Sequence, residues 1–184
     1  RHFQCALPLA AGVFTRLGCP HYQFLITAEI PEARTLLEVL EGGGGARRGD
    51  LLAELARELA RLHALGFLHH DLHLRNLLVA PGTGRARYIL DAWRGGPPPQ
   101  LRSPAYDLAC LFLDGAAVLE PQEQRQFFHE YLAGRAAQAR PADGTLLARR
   151  TAHARAALYA QLVAETGRRH GRPLPPKDWN ALCT

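Results

Sequence analysis

The chain has 184 residues, of which 47% are hydrophobic and 21% charged, the proportions of an ordinary folded domain rather than of a disordered or repetitive one. No apolar run approaches the roughly 18 residues that a membrane span needs, and four cysteines without a C-x-x-C pair exclude a zinc ribbon and a disulfide framework, which points to a reducing compartment. The net charge of +5 and pI of about 9.4 suit an anionic ligand but select no partner; nearly all the basic side chains are arginine, Lys177 being the sole lysine.

Tyr22 to Ile30 is rich in β-branched and aromatic residues and stops at Pro31, which predicts a strand leaving through an extended link. A short helix is expected at Thr35 to Leu40. Gly42 to Gly45 makes a loop, and Asp50 stands as the expected N-cap of a long amphipathic helix whose Leu51, Leu52, Leu55, Leu59, Leu62 and Leu65 recur at helical spacing until Gly66. Leu77 to Ala80 and Arg87 to Leu90 flank Pro81-Gly82-Thr83-Gly84, the pattern of a hairpin with a loop longer than two residues. After the proline-rich link Pro97 to Pro99 the remainder reads as helices: Tyr106 to Leu119, a second begun by Pro121, and a third from about Leu146 to Thr166.

The most unusual polar sequence lies between the long helix and the hairpin: His69-His70-Asp71-Leu72-His73-Leu74-Arg75-Asn76. Singly, each of these residues has an ordinary explanation as a cap or a turn former. Jointly they satisfy H-x-D-x-x-x-x-N, and the hairpin that follows delivers a second carboxylate at Asp91. That combination matches the catalytic loop and metal-binding aspartate of kinases. Phosphoryl transfer needs a carboxylate to orient the attacking hydroxyl and take its proton, and hard oxygen ligands for the metal that neutralises the phosphates.

The stretches GFLHHDLHLRNLLV and YILDAWRGG resemble the lipopolysaccharide kinase family, which phosphorylates Kdo or heptose sugars of the lipid A core. The resemblance covers roughly residues 20 to 120. It implies an α+β, protein-kinase-like fold: a mostly helical C-lobe over 31-184, and at 1-30 a remnant of the N-lobe sheet and hinge. It further implies ATP and Mg2+ as cofactors, Asp71 as catalytic base, Asn76 and Asp91 as metal ligands, and His69 as a structural member of the loop. FLITAEIPEARTLLEVL resembles the strand and hinge between kinase lobes, with backbone near Glu29 and Ile30 facing the adenine. Tyr106-Asp107-Leu108-Ala109 resembles the start of the helix that buttresses the catalytic loop, with Asp107 accepting hydrogen bonds from loop backbone. The implied partner is a small-molecule or lipid-linked sugar acceptor met in the cytoplasm or at the inner face of the membrane, and no motif supports nucleic acid. Arg168, Arg169, His170 and Arg172 form a basic patch suited to anionic headgroups, although a solvated helix end is the simpler account.

The sequence departs from that family in two places. The glycine-rich loop and phosphate-gripping lysine should precede the hinge, yet only about 21 residues do so and none is a lysine; the chain therefore reads as a fragment, inactive alone, of a longer kinase. Asp91-Ala92-Trp93 also lacks the glycine that usually follows the metal-binding aspartate. Three rival readings stand beside this one. Aminoglycoside and choline phosphotransferases share the loop motif and a P-x-Y-D-L-A segment like Pro104-Ala105-Tyr106-Asp107-Leu108-Ala109, but usually carry Pro or Gly where Arg75 stands. A metal-dependent hydrolase would use His69, His70 and His73 as ligands, and a degenerate kinase-like lobe would be a scaffold without catalysis.

Overall fold

The computed structural model describes residues 6–43, 47–80, 86–91 and 103–170. The Pro81–Gly84 turn, Trp93, Pro97 to Pro99, Arg172 and Lys177 lie outside them, as do Gly44 and Gly45 of the glycine run; of Arg168, Arg169 and His170 only the backbone is described.

Two strands open the chain. β1 (Pro8–Arg16) and β2 (Cys19–Thr27) pair antiparallel with Arg16 opposite Cys19 and Val13 opposite Gln23. Leu17 and Gly18, both at positive φ (53° and 78°), make the two-residue turn whose twist matches that of paired strands. Phe14 stacks on Tyr22 across the pair at a centroid distance of 4.9 Å. β2 thus begins before the expected Tyr22 and ends at Thr27, short of Ile30.

A second sheet joins distant parts of the chain in the order β3-β4-β5, all antiparallel. β3 is only Arg34–Thr35; β4 (Leu77–Val79) and β5 (Ala86–Ile89) are the expected hairpin. Pairing of Thr35 with Leu78, and of Leu78 with Tyr88, draws the link after β2 up to the strands that follow the polar loop.

The described residues also form five α-helices. Thr35 caps α1 (Leu36–Glu41) through a capping box: its hydroxyl accepts the Glu38 amide at 3.2 Å and its own amide donates to Glu38 Oε2 at 2.9 Å. α2 spans Arg48–Ala64 and ends before Gly66, which takes φ 83°. Its N-cap is Arg47, not the expected Asp50, which lies inside the first turn. The cause is long-range: Arg48 pairs with Glu123 at 2.6 Å and donates to the carbonyls of Leu40 and Val118, so tertiary anchors start the helix three residues early. α3 (Pro104–Val118) likewise starts ahead of Tyr106, with Pro104 in its first turn. α4 spans Pro121–Ala137, and α5 (Gly144–His170) exceeds the expected helix at both ends.

Leu36, Leu59, Leu72, Leu77, Leu108 and Phe112 are fully buried in one core that draws on helices, sheet and polar loop alike. The fold is α+β and mostly helical, and the polar loop is nailed to its core by Leu72 and Leu74, both at 0% exposure.

Candidate active site

The loop between α2 and β4 is short of regular structure, so its amides need partners elsewhere. Asp107, in the first turn of α3 and fully buried, supplies them. Its Oδ2 accepts the His69 amide at 2.7 Å and its Oδ1 the His70 amide at 2.8 Å. His63, from the last turn of α2, sets Nε2 3.2 Å from the same Oδ2 and Nδ1 2.7 Å from the Tyr131 hydroxyl on α4. Burial opposes ionisation of Asp107, but the His63 hydrogen bond and charge, with the two loop amides, hold its carboxyl below the usual range. Burial pushes the Tyr131 phenol up to about 12, so it keeps its proton near neutral pH.

Downstream of this anchor the loop turns sharply, with His70 at φ 66°, a conformation that non-glycine residues adopt at some cost. The fully buried His69 points Nε2 at the Leu90 carbonyl, 2.8 Å away, and its Nδ1 accepts the Asp71 amide at 3.3 Å. Asn76 donates Nδ2 to the Asp71 carbonyl (2.8 Å) and to Asp71 Oδ2 (3.2 Å), and its own carbonyl accepts the Leu90 amide at 2.8 Å. These bonds tie Asp71, Asn76 and the end of β5 together. Asp91 is the next residue along, exposed and at φ 55°.

The donor set suits a magnesium ion. Magnesium takes one or two protein oxygens and completes its shell with phosphate oxygens and water, so a dedicated protein cage is not required. With Nδ2 of Asn76 committed to Asp71, Oδ1 is the atom it could offer to a cation, and the exposed Asp91 carboxylate could add an anionic donor. By contrast His69, His70 and His73 do not converge as a zinc-type site. His69 faces the Leu90 carbonyl and His73 faces two carboxylates, and among the described residues no cluster of three His, Cys, Asp or Glu side chains could hold a metal.

Glu29 and Ile30 line a groove of about 480 Å³ with Ala6, Leu7, Ala28, Pro31 and Tyr88. Its mostly apolar walls and backbone groups are of the kind that receives a planar heteroaromatic ring. Tyr88 in its lining belongs to β5, the strand that leads through Leu90 to Asp91.

Sequence reasoning missed four polar residues around this site: His63, Tyr131, Asp114 and Tyr88. His63 and Asp114 had left a signal. His63 falls on the apolar stripe of α2, four residues after Leu59, and Asp114 is the one carboxylate in the apolar run Leu108 to Val118, two turns beyond Asp107. Asp114 Oδ1 meets His73 Nδ1 at 3.1 Å and its Oδ2 accepts the Leu74 amide at 3.1 Å. Beneath the loop, Cys110 is 1% exposed; burial, with the charges of Asp107, Asp71 and Asp114, pushes its thiol up to about 12.

Comparison with known proteins bears on the same segment. The family model described as "Lipopolysaccharide kinase (Kdo/WaaP) family" matches residues 6–105. No curated protein matches. A solved structure titled "WaaP in complex with acyl carrier protein" is similar in fold, with a TM-score of 0.54 and 20% identity over 91% of this chain and 70% of that one.

Proposed function

The chain belongs to the lipopolysaccharide kinase (Kdo/WaaP) family, and on that premise we propose that it carries the catalytic loop of an ATP-dependent kinase acting on a hydroxyl of a Kdo or heptose sugar in the lipopolysaccharide core. The observation that carries the reading is the held carboxylate of Asp71. It is 40% exposed, with a side chain on each oxygen, at the head of a loop whose backbone hangs on a buried aspartate.

In this reading Asp71 orients the sugar hydroxyl and takes its proton as the oxygen attacks the γ-phosphorus of ATP. Asn76 and Asp91 would hold Mg2+, which when bound supplies charge neutralisation on the phosphate oxygens. Asp107 and His69 keep the loop backbone in place, and Glu29 and Ile30 border the groove for adenine. Residues 1-30 act as the N-lobe part and 31-184 as the helical lobe. The acceptor is a sugar of a lipid-linked chain, reached at the cytoplasmic face of the inner membrane. Contact with that surface is proposed as peripheral; among the described residues no helix is long and apolar enough to cross a membrane.

The test is transfer of labelled phosphate from ATP to purified lipopolysaccharide by the full-length protein. Asp71→Asn is expected to lower turnover by at least about a hundredfold, the lower bound of the range for losing a general base, with the fold intact by circular dichroism. Asn76→Ala is expected to raise the magnesium concentration needed for half-maximal rate. Unchanged turnover in the first variant would remove the mechanism.

A further inference from the structure

Two side chains grip Asp71. Asn76 holds Oδ2, and Oδ1 lies 3.3 Å from His73 Nε2. The opposite ring nitrogen of His73 lies 3.1 Å from Asp114 Oδ1 on α3. The imidazole therefore spans from the floor of the site to the carboxylate at its mouth.

Exposure drops from the mouth of the site to the two residues behind it, as a strut requires. The side chain of Asp71 is 40% exposed, that of His73 12% and that of Asp114 16%. The end that would meet a hydroxyl is open and the root is covered. Asp114 is itself fixed, because its Oδ2 accepts the Leu74 amide and Arg75 Nη1 stands 3.8 Å from its Oδ1. An aspartate gripped on one oxygen alone can still swing its second oxygen out of line, and misplacement of a reacting group by about 1 Å can cost on the order of a hundredfold in rate.

We propose that His73 is a positioning residue of the phosphotransfer: anchored by Asp114, it fixes the orientation of the Asp71 carboxylate toward the acceptor hydroxyl. The proposal rests on Asp71 being the base. His73 does not hold the loop together, since the Leu74 amide reaches Asp114 without it and Asp107 holds the loop backbone. Removing the ring should therefore spare the fold and the nucleotide groove while loosening one carboxylate.

Initial rates on the full-length protein, with magnesium ATP and purified lipopolysaccharide, separate these roles. His73→Ala is expected to lower kcat by about ten- to a hundredfold, to leave KM for ATP within about twofold, and to leave the thermal midpoint nearly unchanged. Asp114→Asn should lower kcat in the same direction, and the double variant should be little worse than His73→Ala alone, because both act through one chain of contacts. His73→Gln, which keeps bulk but cannot span both carboxylates, covers the case in which the alanine variant does not fold; it too should lose kcat. A His73 variant with wild-type kcat, alongside an inactive Asp71→Asn, overturns the strut and leaves the base in place. Losses confined to KM, or effects that multiply in the double variant, overturn it as well. Equal transfer by wild type and Asp71→Asn, or none by wild type, removes the base and the strut together.

Discussion

Asp107 is fully buried, yet its carboxyl is held below its usual 3.8. Desolvation alone would raise it; the hydrogen bond and charge of His63 and the amides of His69 and His70 reverse the sign. A carboxyl lowered on folding adds stability that is present above its unfolded value and is lost as pH falls through the folded one. The wild-type protein is therefore expected to lose part of its stability as pH drops from about 4 toward lower values, and Asp107→Asn, already lacking that charge, should show a shallower loss over the same window. Denaturant unfolding of both proteins at about pH 6 and about pH 3.5 measures the difference; parallel curves would mean that another carboxylate carries the acid sensitivity. The asparagine variant should also be less stable at the higher pH, since its amide can accept from only one of the two loop amides. The resemblance of the contiguous stretch Tyr106-Asp107-Leu108-Ala109 to a kinase helix start pointed to Asp107. It did not reveal His63 and Tyr131, which reach Asp107 across 44 residues and, through His63, a further 68.

At the scale of elements, α2 and α4 cross at Gly134. A Cβ there would lie 2.8 Å from the Ala60 Cβ and 3.3 Å from the Arg57 Cα, and backbone cannot yield as a side-chain tip does. Alanine favours a helix interior over glycine by about 1 kcal/mol, whereas overpacking costs about 1–3 kcal/mol, so the clash decides the sign. Gly134→Ala is expected to lower the thermal midpoint by a few degrees; a rise would mean that the helices separate at little cost. The boundaries that sequence reading missed have the same origin in distant partners. β1 (PLAAGVFTR) shows no clean alternation and is defined by pairing with β2, β3 consists of two residues that exist as strand only against β4, and α2 begins where Arg48 meets a glutamate 75 residues on. α1, the β4–β5 hairpin and the start of α4 were legible because each is specified locally, by a capping residue, a turn or a proline.

Across the whole molecule, burial is uneven. Leu7, Leu9, Val13, Leu17, Tyr22 and Leu25 of the β1–β2 region are all more than half exposed, while the core gathers around the loop and its supporting helices. Isolated two-stranded hairpins are marginal in water, so the first strands and the loop region should open on different scales. The two described cysteines report on each: Cys19 is exposed in β2 and Cys110 is buried in α3. Under native conditions a thiol reagent, followed by peptide mass spectrometry, is expected to modify Cys19 at once and Cys110 at least about a thousandfold more slowly, as befits a group released only by openings that approach the global ones. Comparable rates would mean that α3 detaches readily from the loop above it. Because the buried Cys110 thiol hydrogen-bonds the Leu72 backbone, next in the chain to Asp71, it serves as a built-in clock. Any ligand that clamps this polar loop down should make that clock run slow, and the interval can be timed without an assay of turnover.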